Sequence, residues 1–127
     1  MATLSIKGQI EKALVPVYNE YFTILEFDQQ HMCVYALIHL NQDMQDQGYQ
    51  PMIDITIRFT TSYPFKPPMV YLNQDNFPSP YVVGRTFCPD IWTNDDGWCP
   101  SLELAQLLLT IYVALHDTKG KKKFIMA

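Results

Sequence analysis

Three segments in the first half of the chain are rich in apolar residues and have the length of strands, and in one of them apolar and polar residues alternate. The pattern is clearest in "MIDITIRF", residues 52–59, where an apolar residue occupies every second position from 53 to 59. The segments "YFTILEF" (21–27) and "CVYALIHL" (33–40) are the two others. Alternation of this kind predicts strands with one buried face and one face in solvent. Polar, turn-prone stretches separate the segments, so we predict an antiparallel meander.

Helical spacing of apolar residues appears on both sides of this meander. Residues 3–14, "TLSIKGQIEKAL", predict a first helix, which Pro16 would end. Residues 101–115, "SLELAQLLLTIYVAL", predict a second helix with Ser101 as its N-cap. Because apolar positions nearly encircle the second helix, we expect it to pack on two sides or across the sheet.

The region between the meander and the second helix has little periodicity. The prolines of "YPFKPPMVYL", residues 63–72, predict a stiff extended segment, followed by "MVYL" as a short edge strand. Residues 73–100 hold four prolines and two glycines and predict a long irregular loop. Long loops inside small domains usually carry function. We therefore expect this loop to carry the functional residues.

Composition narrows the classes of protein to which the chain can belong. The 127 residues, of which 48% are hydrophobic and 17% charged, predict a single globular domain spanning 1–127. A net charge of −4 argues against nucleic acid as a partner. Lysine occupies four of the five positions in "KGKKK", residues 119–123. We interpret 118–127 as a basic flexible tail, with an electrostatic docking strip as the alternative.

The three cysteines Cys33, Cys88 and Cys99 do not form an even disulfide framework, and their spacing matches no zinc motif. We therefore expect no metal and no cofactor. The sequence has no signal-peptide core and no apolar run of membrane-spanning length, so we expect no membrane association. A reducing compartment fits best, the cytoplasm or also the nucleus. There Cys88 would remain a thiol, in the turn-rich segment "GRTFCPDIWTNDDGWCP", residues 84–100.

The order of these elements and motifs resembles the ubiquitin-conjugating (E2) family over about residues 3–117. In that family the active-site cysteine follows a YPFKPP-like segment by about twenty residues, and a Trp-Ser-Pro precedes the crossover helix. Here Cys88 follows Pro68 by twenty residues, within "CPDI", and "WCP" ends at Pro100. The resemblance implies an α+β ubiquitin-conjugating (UBC-like) fold: an N-terminal helix, a four-stranded antiparallel meander, an active-site loop and a crossover helix.

The resemblance also implies a reaction. Cys88 would take ubiquitin or a ubiquitin-like protein from an E1 activating enzyme as a thioester, and would then surrender it to an amine with ligase help. The thiolate is the reactive form, and an unperturbed thiol with a pKa of about 8.5 is only a few per cent ionised at neutral pH. Asp90 is the residue we expect to orient the incoming amine or its proton.

Three departures from the family pattern bear on activity. The family's His-Pro-Asn, whose asparagine is held to stabilise the oxyanion, is replaced by "NFPSP" (76–80), without an asparagine in register. Ser79 is our candidate replacement donor, and Asn76, Asn94 and Thr86 are alternatives. A further alternative is that none of them donates and that prolines brace the loop. The family's two C-terminal helices are missing, so we expect a truncated C-terminus. The family's acidic or serine gate would fall in the lysine tail, around 121–122.

Partner surfaces follow from the same resemblance. RING-type (E3) ligases contact the phenylalanine and lysine of the YPFKPP segment and the residues around the Trp-x-Pro. The matching positions here are Phe65, Lys66, Pro100 and Ser101. Phe65 could serve as an exposed interface anchor or could instead plug the loop. The first helix, which receives the activating enzyme in the family, offers Lys7 and Lys12.

Two further interpretations of the function remain open beside the conjugating enzyme. An inactive E2-variant scaffold would bind ubiquitin or a partner E2 without chemistry, with Cys88 as an inert thiol. A divergent conjugation system could lack the asparagine motif by design. Cys33 alternates with the core positions of its strand and is expected to be buried, whereas Cys99 is expected to serve packing or capping.

Overall fold

The computed structural model describes residues 2–63, 65–74, 77–87 and 102–117, with side chains from residue 6 onward. Its helices are α1 (Ala2–Ala13), α2 (Gln42–Asp46) and α3 (Leu104–His116), with a short 3₁₀ turn at Pro16–Tyr18. Its strands are β1 (Phe22–Asp28), β2 (Cys33–His39), β3 (Met52–Arg58), β4 (Met69–Leu72), β5 (Val82–Val83) and β6 (Thr86–Phe87). The prediction for residues 118–127 lies outside this part of the chain.

All six strands form one antiparallel sheet in the order β1-β2-β3-β4-β6-β5. Its register follows the alternation in the sequence: Ile57 pairs with Val34 on one side and with Val70 on the other. All three side chains are fully buried on the same face. Side chains of neighbouring β3 residues, such as Asp54 and Arg58, point to solvent. The predicted four-stranded meander is confirmed.

The structure corrects the prediction for the region after β3. The segment "MVYL" forms β4, but β4 is not an edge strand, because Val70 pairs with Phe87 of β6. The stretch 73–100, predicted to be irregular, contains β5 and β6. Two-residue strands are too short to leave a periodic signal in the sequence. Their place in the sheet depends on the neighbouring strand rather than on their own pattern.

A second correction concerns the polar stretch between β2 and β3, which was predicted as a turn and contains α2. Asn41 is the N-cap, and its side-chain oxygen accepts a hydrogen bond from the Met44 backbone N–H at 3.0 Å. Met44 is buried and supplies the apolar contact of this short helix. One apolar residue among polar neighbours is too weak a pattern to predict a helix.

Helix α3 packs on two sides, as predicted, because it contacts α1 as well as β1 and β2. Its buried residues are Leu104, Ala105, Leu107, Leu108, Thr110, Ile111, Ala114 and Leu115. The helix begins later than the sequence suggested. Its N-cap is Glu103, whose backbone N–H donates to the Gln106 side-chain oxygen at 3.0 Å, and not Ser101, which lies outside the described residues.

The buried residues of the helices and strands form one hydrophobic core between the sheet and the two longer helices. Within the described ranges, none of the helices combines the length and the apolar character needed to cross a membrane.

Candidate functional site

Strand β6 leads directly to the predicted nucleophile. Cys88 and Asp90 lie outside the described residues, but Phe87, which precedes them, is the last residue of β6. Its side chain is buried, and it pairs with Val70 on one side and Val82 on the other. The chain therefore approaches position 88 from a residue that is anchored both in the core and in the sheet.

A tight hairpin between β5 and β6 sets this approach. Val83 pairs with Thr86, so Gly84 and Arg85 form the turn. Gly84 has a φ of +64°, in the left-handed region that glycine adopts at little cost. The Leu72 N–H donates to the Arg85 carbonyl oxygen at 2.7 Å, which ties the hairpin to the end of β4. The hairpin is thus held from the central sheet as well as by its own turn.

Ser79 lies upstream of the hairpin, buried against the C-terminal part of α3. Its hydroxyl donates to the Ala114 carbonyl oxygen at 3.0 Å and accepts from the Tyr81 backbone N–H at 3.2 Å. Ala114 belongs to the last turn of α3, and its carbonyl oxygen also accepts a hydrogen bond from the Asp117 backbone N–H at 3.2 Å. The role predicted for Ser79 at an oxyanion stays a prediction, and it would require the hydroxyl to leave the Ala114 bond.

Side chains on either side of Ser79 also attach the segment 77–81 to the rest of the fold. Phe77 is buried, and its ring centroid lies 5.6 Å from that of Tyr49. The Tyr81 hydroxyl donates to the Asp117 carboxylate at 3.4 Å. Among the alternative donors, Thr86 is half-buried within β6, whereas Asn76 and Asn94 lie outside the described residues.

Phe65 and Lys66 form an exposed turn, called here the Phe65–Lys66 turn. The Phe65 side chain is 78% exposed, so it does not plug the loop. The backbone N–H groups of both residues donate to the Ser62 carbonyl oxygen, at 2.8 and 3.1 Å, and close the turn. Pro100 and Ser101, the other positions predicted for ligase contact, lie outside the described residues.

Tyr63 anchors this turn to the interior. Its ring is buried and meets Phe59 edge to face, with 4.7 Å between the ring centroids. Its hydroxyl donates to the Gln9 side-chain oxygen at 3.0 Å. Burial raises the pKa of the Tyr63 phenol, so the hydroxyl is protonated at neutral pH and can donate this hydrogen bond.

The two lysines predicted to meet an activating enzyme lie exposed on α1. The Lys12 ammonium lies 3.2 Å from the Glu103 carboxylate, and both side chains remain largely exposed. Exposed ion pairs of this kind contribute little to stability, about 0–1 kcal/mol. Lys7 is exposed as well. Both side chains are therefore accessible to a partner.

Cys33 is buried, as predicted, with its thiol donating to the His31 carbonyl oxygen at 3.3 Å. Burial is the main cause that raises the pKa of the Cys33 thiol, so the reactive thiolate is disfavoured. Cys99 lies outside the described residues. No group of three or more His, Cys, Asp or Glu side chains that could hold a metal occurs in the part of the chain that the structure describes.

Two residues in this region were not singled out by the sequence. The Gln9 side chain accepts hydrogen bonds from two other elements, and the Ala114 carbonyl oxygen receives the Ser79 hydroxyl. A glutamine within a helix and a backbone carbonyl carry no motif. Only the position of each within the folded chain could reveal them.

Comparison with known proteins places this geometry in a family of folds. No protein-family model matches the sequence. A structure described as a novel ubiquitin-conjugating enzyme is similar over 90% of this chain and 73% of its own, with a TM-score of 0.70 and 25% identity. Human ubiquitin-conjugating enzyme E2 G1 matches over 91% of this chain and 93% of its own, with a TM-score of 0.71 and 20% identity. The chain is an E2-like protein with the ubiquitin-conjugating fold.

Proposed function

We propose that the chain is a conjugating enzyme that carries ubiquitin or a ubiquitin-like protein as a thioester on Cys88. The observation that carries this proposal is the place of Cys88 in the chain. It follows Phe87 of β6 directly, within "CPDI", in a chain whose fold matches ubiquitin-conjugating enzymes. An anchored strand end supports the proposal, because a nucleophile must be held in position to react efficiently.

The first step is an exchange between a thiolate and a thioester. The Cys88 thiolate attacks the carbonyl carbon of the modifier's C-terminus while that carbon is bonded to the activating enzyme's sulfur. A new C–S bond to Cys88 forms, the old C–S bond breaks, and the activating enzyme leaves as a thiolate. The bond that breaks and the bond that forms are both thioester C–S bonds, so the exchange requires little driving force.

The second step transfers the modifier to an amine. The amine nitrogen attacks the thioester carbon, a C–N bond forms, the bond to Cys88 breaks, and the sulfur leaves as a thiolate. Asp90 is proposed to orient the amine and to receive its proton. A missing oxyanion donor would slow this step by roughly 10²–10³ without preventing the first one.

Partner binding completes the proposal. The activating enzyme would bind α1 through Lys7 and Lys12, both of which are exposed. A RING-type ligase would bind the Phe65–Lys66 turn together with Pro100 and Ser101. The exposure of Phe65 supports this assignment, because aromatic side chains are frequent anchors of interfaces.

A gel without reductant tests the proposal. The protein is incubated with activating enzyme, Mg-ATP and either ubiquitin or each of several ubiquitin-like proteins. We expect an adduct one modifier heavier that disappears on addition of thiol. Cys88→Ala should abolish the adduct, and Cys88→Ser should give an ester that resists reductant. The matched control is Cys33→Ala, which removes a buried thiol and should leave the adduct unchanged.

The second candidate is a scaffold that binds ubiquitin without chemistry. It is favoured by the Ser79 hydroxyl, which is bonded to Ala114 where an oxyanion donor was sought. The same experiment separates the two candidates. Absence of any thiol-sensitive adduct with every modifier, together with ubiquitin-dependent shifts in an NMR titration, would support the scaffold over the enzyme.

A further inference from the structure

A single side-chain oxygen joins three elements of the fold. The Gln9 Oε1 atom, on α1, accepts a hydrogen bond from the Tyr63 hydroxyl at 3.0 Å. The same atom accepts one from the Leu104 backbone N–H, at the start of α3, at 2.9 Å. Both partners donate, so the amide oxygen and not the amide nitrogen must face them. An amide oxygen has two lone pairs and can accept both bonds.

Both donors find in this oxygen an acceptor that lies far from them in the chain. The Leu104 N–H belongs to the first turn of α3, whose N–H groups have no acceptor within the helix. The Tyr63 hydroxyl belongs to a buried ring, and buried donors without acceptors are costly. Because Gln9 lies on a helix that itself packs on α3, its side chain holds both donors from a fixed base.

These contacts adjoin the Phe65–Lys66 turn, the described part of the proposed ligase surface. Tyr63 precedes the exposed Phe65 by two residues, and the Phe65–Lys66 turn closes on Ser62. Leu104, at the other end of the bridge, is the first residue of α3. The Gln9 bridge therefore connects the residue that anchors the Phe65–Lys66 turn to the start of α3.

We propose that Gln9 is a positioning residue for a RING-type ligase. It holds the Phe65–Lys66 turn at a set distance from the start of α3, so that the ligase meets a surface already in its binding arrangement. Preorganisation raises affinity by lowering the cost of ordering on binding. This inference rests on the proposed function, because it concerns the affinity of the ligase and not the chemistry at Cys88.

The experiment uses the full chain charged with ubiquitin and measures discharge to free lysine as a function of RING-domain concentration, with a panel of RING domains. Gln9→Leu removes the acceptor at similar size. We expect it to raise the half-saturating RING concentration by about 5–10-fold, equivalent to roughly 1 kcal/mol of binding energy. The maximal rate and the rate without RING should stay unchanged.

Two further variants and one control make this result specific. Gln9→Glu, whose carboxylate also accepts two hydrogen bonds, should restore the half-saturating concentration towards that of the wild type. Tyr63→Phe should raise it in the same way, and adding Gln9→Leu to Tyr63→Phe should give less than the product of the two effects. Gln47→Leu makes the same change on an exposed residue after α2 and should have no effect.

An unchanged half-saturating concentration in Gln9→Leu would overturn the inference, as would an equal loss in the rate without RING. If none of the RING domains stimulates discharge from the wild type, the assignment of this surface to a ligase is wrong. If the wild type forms no thioester, the proposed function fails, and amide exchange then tests the bridge separately. In that case Gln9→Leu should accelerate exchange at Phe65, Lys66 and Leu104, and unchanged exchange at all three would overturn the bridge.

Discussion

The central strands and the segment 77–87 reach their places in the sheet by different means. Strands β2 and β3 are seven residues long and pair along their whole length, and buried and exposed side chains alternate along β3. Strands β5 and β6 have two residues each. The segment that contains them is hydrogen-bonded to α3 through Ser79 and to β4 through Arg85. The first region is held by many similar apolar contacts along whole strands, whereas the second combines two buried side chains, Phe77 and Phe87, with a few specific polar contacts.

This difference separates the frame of the protein from the approach to its proposed nucleophile. Removing one apolar contact from the frame weakens the whole cooperative unit, because the buried strands share a single core. Removing one polar contact from the segment 77–87 changes how the chain enters position 88. Substitutions in the two regions should therefore differ in both size and kind of effect.

The largest effect should come from truncation in the frame. Ile57 is fully buried between Val34 and Val70, and Ile57→Ala should lower the free energy of unfolding by about 2–5 kcal/mol through lost burial and a cavity. Urea unfolding followed by circular dichroism measures this change. Asp54→Ala, on the exposed side of the same strand, should change it by less than about 0.5 kcal/mol. Similar losses in the two variants would contradict the assigned register.

An intermediate effect should come from the segment 77–87. Ser79→Ala removes the donor to Ala114 and the acceptor for Tyr81, and should lower the free energy of unfolding by about 1–3 kcal/mol. Urea unfolding measures it, with the exposed Ser62→Ala as the matched control.

The same Ser79 variant distinguishes a structural tie from an oxyanion donor. For a tie, loss of stability should exceed any loss in the single-turnover discharge of the Cys88 thioester to lysine. For an oxyanion donor, discharge should fall by roughly 10²–10³ while the free energy of unfolding stays nearly constant. We expect the first result, because the hydroxyl proton is engaged with the Ala114 carbonyl oxygen.

The smallest effect should come from a polar contact that belongs to the frame but lies at its surface. In the turn between β1 and β2, the Asp28 carboxylate bonds the His31 side chain at 2.7 Å and the His31 backbone N–H at 3.1 Å. These two bonds, the side-chain one first, lower the pKa of Asp28 below its usual 3.8. The folded state therefore favours the carboxylate, so this stabilisation is present above pH 3.8 and is lost as the pH falls through the lower folded value.

Thermal unfolding between about pH 5 and pH 2 tests this contribution. The melting temperature of the wild type should fall more steeply with decreasing pH than that of Asp28→Asn, which cannot ionise. The two curves should approach each other at the acid end. Parallel curves over the whole range would show that the carboxylate has the same pKa in the folded and unfolded chains.

Much of the frame could be predicted from local pattern. The strict alternation around Ile57 and the apolar face of α3 each describe a surface that must be buried, whatever the rest of the chain does. The "CPDI" motif likewise made Cys88 the candidate nucleophile, because a short motif can be recognised from neighbouring residues alone. The errors fell where the pattern was short: α2 contains one buried residue, and β5 and β6 have two residues each.

The sequence by itself determined the meander, the two long helices and the resemblance to ubiquitin-conjugating enzymes, because periodicity and motifs are properties of neighbouring residues. Only the tertiary structure decided that β4 lies inside the sheet, that Ser79 bonds Ala114, and that Gln9 joins Tyr63 to Leu104. The two residues of each hydrogen bond in this set are 35 or more positions apart in the chain. Such contacts form only because packing of the core brings distant parts of the chain together. A pattern among neighbouring residues therefore cannot predict them.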